Sequence, residues 1–205
     1  MEFPIQFDKP TIILASASKL RAKNLEDAGI PFIIKVSSVD DSKLNDLYPH
    51  EGVSKRQDAK YTKEMALAKL QPFIGNVKNA AVITADTTCY CCGTILEKAI
   101  TKDKCREHHK MLSGNVNYVY TAVAIYYNGK VVSDVMKTRV KVDVIPDDVI
   151  EQICEENDTL WAAGYRSAGK IRPYLNIKNT EHQRNVEGIS PKFVKKLLKK
   201  VGYGA

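Results

Sequence analysis

The order of the predicted elements is the feature that most constrains the fold of this chain. Strand-like and helix-like segments alternate along the first half, and two long segments rich in Val, Ile, Thr and Tyr then flank Asn128-Gly129. An Asn-Gly pair between two such segments is the strongest short-range signal of a β-hairpin and predicts a type I′ turn. This order favours an α/β fold, in which helices cover the faces of a mixed β-sheet.

Apolar and small residues set approximate bounds for each element. We predict strands over residues 11–15, 32–36, 80–85, 116–127 and 130–144, and helices over residues 19–28, 54–70 and 103–112. A further helix is predicted to begin around Pro146, because proline and acidic residues suit a first helical turn. Residues 37–51 are polar and are predicted to form a loop.

Length and composition indicate one domain over residues 1–205. The chain is 44% hydrophobic and 27% charged, as folded proteins commonly are. No apolar run is long enough to cross a bilayer, and the first residues lack a basic leader followed by an apolar segment, so we expect a cytoplasmic protein with no membrane partner. We expect the 5 cysteines to be reduced, with Cys89, Cys91 and Cys92 as structural thiols in a strand.

The formal net charge of +7 favours an anionic partner such as a nucleotide or a nucleic acid. Much of the excess lies in residues 192–200, where apolar positions follow helical spacing. This segment is predicted to be an amphipathic terminal helix with a solvated basic face. The sequence lacks the aromatic-rich pattern of an RNA-binding sheet, which argues against a nucleic-acid partner.

Polar side chains follow three of the predicted strands. Ser16 and Ser18 come after the first strand, at a helix start that contains Arg21, while residues 37–41 follow the second strand and Asp86 follows the third. Ligands of open α/β sheets bind beyond the carboxyl ends of strands, and helix amides and hydroxyls suit phosphate oxygens. Two acidic strand ends and a hydroxyl-rich helix start therefore predict a site for a divalent metal ion and a polyphosphate.

The stretch ITADTT leaves the role of Asp86 open. It places a carboxylate at the tip of a row of small and β-branched residues. Aspartate is a common turn and cap residue, so a structural role competes with a catalytic or metal-binding role.

Several short segments match, in order, the motifs of one protein family. They are LASASKLR (14–21), GIPF (29–32), VSSVDD (36–41), MALAKL (65–70), ITADTT (83–88), GTILEKA (93–99), LSGNVNYVYTAVA (112–124) and AAGYRSAG (162–169). These segments resemble the motifs of the Maf family, the septum-formation-inhibitor-like nucleotide pyrophosphatases, including LASxSxRR, IGADT, GxILGKP and AGxYxIQG. The resemblance covers most of the chain.

The resemblance implies a twisted mixed sheet flanked by helices, in two lobes with a central cleft. It also implies a hydrolase that uses Mg²⁺ or Mn²⁺ to split normal or modified nucleoside triphosphates into the monophosphate and pyrophosphate. Members of the family often pair, so a homodimer is one expectation. The alternative is a catalytically impaired nucleotide-binding regulatory protein of the same fold.

The resemblance also implies roles for individual residues. Asp86 takes the place of the catalytic proton acceptor, and Lys69 and Lys98 take the places of the catalytic lysines. Asp41 and Asp86 are the implied metal ligands. The implied substrate-binding residues are Ser16, Ser18, Arg21, Thr87, Arg166 and Ser167.

Departures from the family motifs bear on catalysis and on base choice. Leu20 replaces the first Arg of a pair, Ala168 replaces a Gln or Glu, and Asp41 replaces the usual Glu. Leu20 and Ala168 cannot form side-chain hydrogen bonds with a base, so we expect weak selectivity, because apolar discrimination typically amounts to about 1–3 kcal/mol. Further departures are Glu97, Ala99, Asn117, Ala122 and the segment NVEGIS (185–190), which stands for NVVGLP.

Overall fold

The computed structural model describes residues 4–40 and 48–204, except for the side chains of residues 157 and 158. Asp41, one of the predicted metal ligands, lies outside these described residues. The described chain folds into a mixed β-sheet with helices on both faces, which confirms the predicted α/β class. Within these ranges, the helices are too short or too polar to cross a membrane.

The sheet is parallel at one edge and antiparallel across the rest. In chain order the strands are β1 (Ile5–Leu14), β2 (Ile33–Ile34), β3 (Val77–Cys91), β4 (Thr94–Leu96), β5 (Val116–Tyr127), β6 (Lys130–Val142) and β7 (Leu175–Asn176). Their spatial order is β2-β1-β3-β5-β6-β7, with β4 paired to β3 outside this path. β1 pairs in parallel with β2 and β3, and the other pairs are antiparallel.

The predicted hairpin is confirmed. β5 pairs with β6 along its whole length, and the two strands are joined by Asn128 (φ 46°) and Gly129 (φ 80°). A type I′ turn requires a positive φ at both central residues, and asparagine and glycine are the residues that tolerate it best.

Helices fill the connections between the strands. They are α1 (Lys19–Glu26), α2 (Lys55–Leu70), α3 (Lys102–Leu112), α4 (Asp147–Cys154), α5 (Thr180–Val186) and α6 (Pro191–Val201), with 3₁₀ turns at Gln71–Phe73, Asn157–Trp161 and Gly169–Tyr174. α2 begins with a capping box, in which Ser54 accepts the amide of Gln57 and the Gln57 side chain accepts the amide of Ser54. α6 is amphipathic, as predicted: its lysines are exposed and its apolar stripe is buried.

β3 is far longer than the strand predicted over residues 80–85. It runs from Val77 to Cys91, so Asp86 lies within a strand, and the prediction that it follows a strand end is wrong. The residues after Asp86 are Thr, Cys and Tyr, which suit strands. Cys89 and Cys91 are buried in a hydrophobic core, so burial favours continuation of the strand.

Asp86 faces a cleft although it lies within a strand, because the neighbouring strand β1 ends before reaching it. β1 ends at Leu14, opposite Ile83, whereas β3 continues and pairs with β5 as far as Asn117. Asp86 comes three residues after Ile83, so it lies just beyond the end of β1. The sheet thus has a notch beside this carboxylate.

Other predicted bounds shift by a few residues. The strand predicted over residues 32–36 is only Ile33–Ile34, the helix predicted over 19–28 ends at Glu26, and the strand predicted over 130–144 ends at Val142. β2 pairs only with β1 and both of its residues are exposed, so burial contributes little that would favour a longer strand.

The buried side chains fall into groups that define two lobes. α1 and α6 cover one face of β1, β3 and β5, and α2 covers the opposite face. α3 and α4 enclose a separate core with the far halves of β3, β5 and β6. The cleft lies where these two parts of the molecule meet.

Candidate active site

One cavity brings the predicted site residues together. It has a volume of about 800 Å³, and its walls come from the β1–α1 turn, β3, the end of α2 and residues 161–167. Every predicted site residue that the structure describes lines it: Ser16, Ser18, Arg21, Lys69, Asp86, Thr87, Lys98, Arg166 and Ser167.

Asp86 and Lys69 form an ion pair in the cavity wall. Lys69 Nζ donates to Asp86 Oδ1 at 2.7 Å, and the two side chains are only 13% and 15% exposed. α2 is held against β3 because Thr84 Oγ1 donates to the carbonyl of Ala66 at 2.7 Å. Lys69 lies in the last turn of α2 and therefore reaches Asp86 across this contact. Among the described residues, Asp86 Oδ2 accepts no hydrogen bond, so it remains available to the cavity.

Arg21 ties three segments of the site together. Its guanidinium donates to Ser16 Oγ at 3.2 Å, to Thr87 Oγ1 at 3.1 Å and to the carbonyl of Gly188 at 3.0 Å. A Cβ on Gly188 would lie 3.2 Å from Arg21 Nε, and the φ of Gly188 is 109°, so glycine permits this close approach. The planar fork of arginine suits such a fixed, multidentate position.

The turn before α1 presents amides and hydroxyls to the cavity. Ser18 caps α1 by accepting the amide of Arg21 at 3.4 Å, and the amide of Ser18 donates to Ser16 Oγ at 3.2 Å. The first turn of α1 carries no acidic residue. The helix dipole and the hydroxyls therefore favour an anion at this end of the cavity.

The opposite wall is built by a short pairing between two loops. Lys98 forms an antiparallel bridge with Ala163, and the amide of Gly164 donates to the carbonyl of Glu97 at 3.1 Å. A Cβ on Gly164 would lie 2.7 Å from the Cβ of Cys89, so this approach to β3 requires glycine. The pairing holds Lys98 and the segment with Arg166 and Ser167 on the same wall.

The cavity also contains Glu187 and Trp161, which the sequence did not single out as site residues. Glu187 lines the cavity, and its Oε1 accepts from Gln183 Nε2 at 2.9 Å, while the same nitrogen donates to Ser167 Oγ at 3.1 Å. Trp161 also lines it and is 63% exposed. The signal for Glu187 was the Glu within NVEGIS, where the family motif has Val. Trp161 is the single tryptophan of the chain and had no other signal.

Asp58 is a buried acid beneath the site, and nothing in the sequence singles it out. It is fully buried in α2 and accepts from Thr88 Oγ1 at 2.6 Å, two residues after Asp86. Burial raises the pKa of Asp58 from 3.8 to about 6, although hydrogen bonds from Thr88 and Thr62 oppose the shift. From sequence alone Asp58 is an ordinary first-turn acid, which concealed its burial.

We predict a pH-dependent gain in stability for Asp58→Asn. Asp58 holds its proton to higher pH in the folded state than in the unfolded chain, so its ionisation lowers the free energy of unfolding as pH rises from about 4 to above 6. Relative to wild type, the variant should gain about 2–3 kcal/mol between pH 4 and pH 7. Urea unfolding of both proteins across this range measures the difference. A difference that does not change with pH would contradict the assignment, whatever its constant offset.

Comparisons with known proteins identify a family and several relatives for this chain. A protein-family model described as Maf-like protein matches residues 11–201. The chain is 28% identical over 197 residues to a dTTP/UTP pyrophosphatase of Rhodopirellula baltica, covering 92% of this chain and 81% of that protein. It is 32% identical to a dTTP/UTP pyrophosphatase of Pyrococcus abyssi, covering 92% and 95%. A nucleoside triphosphate pyrophosphatase of Ruegeria sp. is 29% identical, with 71% and 72% covered.

Proposed function

Because this chain belongs to the Maf-like protein family, whose model matches residues 11–201, we propose that it is a nucleoside triphosphate pyrophosphatase. It hydrolyses the bond between the α- and β-phosphates and releases the nucleoside monophosphate and pyrophosphate. The names of the relatives, which include dTTP/UTP pyrophosphatases and a nucleoside triphosphate pyrophosphatase, support this activity.

The ion pair between Asp86 and Lys69 is the observation that carries the proposal. It places a carboxylate with an available oxygen at the wall of a cavity that also contains Arg21, Lys98 and Arg166. Cations that outnumber carboxylates suit a polyphosphate, whose negative charge they offset. A cavity of about 800 Å³ is within the range that small-molecule ligands occupy.

The donor set fits a hard divalent cation. Asp86 Oδ2 offers one carboxylate oxygen, and we propose Asp41, which lies outside the described residues, as the second carboxylate. Mg²⁺ or Mn²⁺ is commonly held by one or two carboxylates together with substrate phosphates. When bound, the ion supplies positive charge beside the phosphate oxygens.

The chain's own residues account for the remaining chemistry. Asp86 accepts a proton from the attacking water, whose oxygen bonds to the α-phosphorus as the bond to the β-phosphate breaks and pyrophosphate leaves. Lys69 fixes Asp86 through Oδ1 and, with Lys98, offsets the charge that develops on the phosphates. The turn with Ser16 and Ser18 binds phosphate oxygens near α1.

The alternative of an impaired regulatory protein is not favoured. The chain keeps the carboxylate, and Lys69 is paired with it at 2.7 Å. The basic face of α6 does not contribute to this site, since none of its lysines lines the cavity. Release of pyrophosphate from nucleoside triphosphates in Mg²⁺ or Mn²⁺ tests the proposal, and a chain that releases none from any natural or modified triphosphate would refute it.

Glu187 changes the expectation for base selectivity. A carboxylate repels phosphates, so we propose that Glu187 faces the base, with Trp161 and Leu20 offering apolar and aromatic surface in the same cavity. An ionised carboxylate only accepts hydrogen bonds. We propose that it accepts the ring N–H of uracil, thymine or guanine. Cytosine and adenine carry an acceptor nitrogen at that ring position and can donate to the carboxylate only from their exocyclic amino group.

We predict that Glu187→Gln reduces this preference. Hydrogen bonds to charged groups typically contribute about 1.5–3 kcal/mol, so the ratio of kcat/KM between the two classes of base should fall by about 10–100-fold. Competition between UTP and CTP with each variant measures the ratio. Glu26→Gln is the control. Glu26 is an exposed residue of α1 outside the cavity, and its replacement makes the same change of charge. An unchanged ratio in Glu187→Gln would exclude Glu187 from base recognition.

A further inference from the structure

A second cluster of ligand-type side chains lies outside the cavity, between α3 and α4. Cys105 and His109 are one turn apart on α3, and Cys154 is the last residue of α4. One potential ligand atom from each residue lies within 4.8 Å of the other two, and each residue is at most 1% exposed. From this geometry we propose that Cys105, His109 and Cys154 form a binding site for a soft divalent cation of the zinc class.

The spacing of the cluster is close to that of a zinc site. Zn–S bonds of about 2.3 Å and Zn–N bonds of about 2.0–2.1 Å place neighbouring ligand atoms of a tetrahedral ion roughly 3.5–3.8 Å apart. One potential ligand atom from each of Cys105, His109 and Cys154 already lies within 4.8 Å of the other two. Side-chain adjustment of roughly an ångström would bring the whole cluster to these distances.

The chemistry of the three residues suits zinc rather than magnesium. Thiolates and imidazoles are soft or borderline ligands that select zinc, whereas magnesium prefers oxygen. Two thiolates also offset the two charges of the ion, and the histidine is neutral. The loaded site therefore places no net charge in the core, where an unpaired charge would be strongly unfavourable.

His109 provides an independent observation that points to a ligand. Its Nδ1 lies 2.8 Å from the carbonyl of Cys105, which places the proton on Nδ1 and leaves the lone pair on Nε2. Nε2 is buried and has no hydrogen-bond partner among the described residues. Buried polar atoms are normally satisfied. A hydrogen bond from one ring nitrogen to a backbone carbonyl is also how metal-binding histidines are commonly oriented.

Ion pairs on the protein surface hold the two helices in register at this cluster. Arg106, next to Cys105, donates to Glu151 at 2.7 Å, and Lys102 donates to Glu155 at 2.6 Å. Both contacts join α3 to α4 on either side of the cysteines. The ligands from the two helices are thus positioned before a metal ion binds.

Zinc titration of the reduced, metal-stripped protein tests this site. Excess Mg²⁺ occupies the oxygen ligands of the cavity, and native mass spectrometry with competition against a chromophoric chelator then gives stoichiometry and affinity. We expect one equivalent of Zn²⁺ per chain, and with Co²⁺ alone we expect thiolate-to-cobalt charge-transfer absorption. Cys105→Ser and Cys154→Ser should each weaken zinc binding by more than about 100-fold, because even residues that only orient ligands contribute about 10–100-fold.

Cys92→Ser is the matched control, since Cys92 is exposed and lies outside the cluster. It should bind zinc as the wild type does. Circular dichroism identifies any variant that fails to fold. If the serine variants do not fold, the thiolate-to-cobalt absorption of the wild type decides the test. Lack of thiolate-to-cobalt absorption in the wild type, or zinc binding retained in both folded serine variants, would overturn the proposal.

Discussion

Replacement of Asp86 with asparagine is expected to lower the rate of pyrophosphate release by about 10²–10⁴-fold, the usual contribution of a general base. The amide has nearly the same shape as the carboxylate and can still accept a hydrogen bond from Lys69, which lies 2.7 Å from Oδ1. It cannot accept the proton of the attacking water. The loss should therefore appear in turnover under saturating substrate, measured by a coupled pyrophosphate assay.

Asp8→Asn is the matched control for this experiment. Asp8 is an exposed residue of β1, and it does not line the cavity, so its variant should retain wild-type turnover. Thermal unfolding should show that both variants are folded. If Asp86→Asn retains activity within a few-fold of wild type, Asp86 is not the proton acceptor.

Replacement of Lys69 with alanine is expected to lower kcat/KM by about 10²–10³-fold, as removal of one group that stabilises developing charge typically does. Lys69 holds Asp86 in position and adds a positive charge to the cavity, so both kcat and KM should change. Lys69→Arg should rescue activity only in part, because a planar guanidinium cannot reproduce the point contact of an ammonium. Steady-state kinetics with the best substrate measure both parameters.

Lys63→Ala provides the control on the same helix. Lys63 carries the same charge on α2 but does not line the cavity, so its removal should leave kcat/KM nearly unchanged. Lys98→Ala, on the opposite wall, should also weaken activity, because Lys98 is the second lysine proposed to neutralise the phosphates. Normal kinetics in both Lys69→Ala and Lys98→Ala would show that the lysines lie in the cavity without a role in the reaction.

The sequence predicted which residues line the cavity better than it predicted the bounds of the strands around them. Resemblance by motif placed Ser16, Arg21, Lys69, Asp86 and Lys98 in one site, and the structure brings them to one cavity. Their roles remain predictions. The long hairpin was also predictable, because Asn-Gly encodes its turn in two residues.

The extent of β3 was not predictable from local pattern. Polar Asp86 interrupts an apolar run, which resembles a strand end, yet Cys89 and Cys91 beyond it are buried in a core that they share with side chains of α3 and α4. Tertiary burial thus overrides a local signal. The notch at Asp86 arises because β1 ends early, and that depends on how two strands pair rather than on either strand alone.

Glu187 and Asp58 escaped prediction for a related reason. Glu187 enters the cavity because α5 ends beside Ser167, and Gln183 holds both of them by hydrogen bonds. Asp58 is buried where α2 packs on the sheet, and Thr88, 30 residues away in the chain, donates to it there. Neither long-range contact has a signature in sequence spacing, since both depend on where helices pack against the sheet.

The most direct test of the central claim is the identity of the products formed in water enriched with heavy oxygen. Attack of water on the α-phosphorus predicts equal amounts of nucleoside monophosphate and pyrophosphate, with the heavy oxygen in the monophosphate. Mass spectrometry of both products after hydrolysis of UTP or dTTP makes the measurement. Nucleoside diphosphate and inorganic phosphate as products, or heavy oxygen in the pyrophosphate, would contradict the proposed reaction.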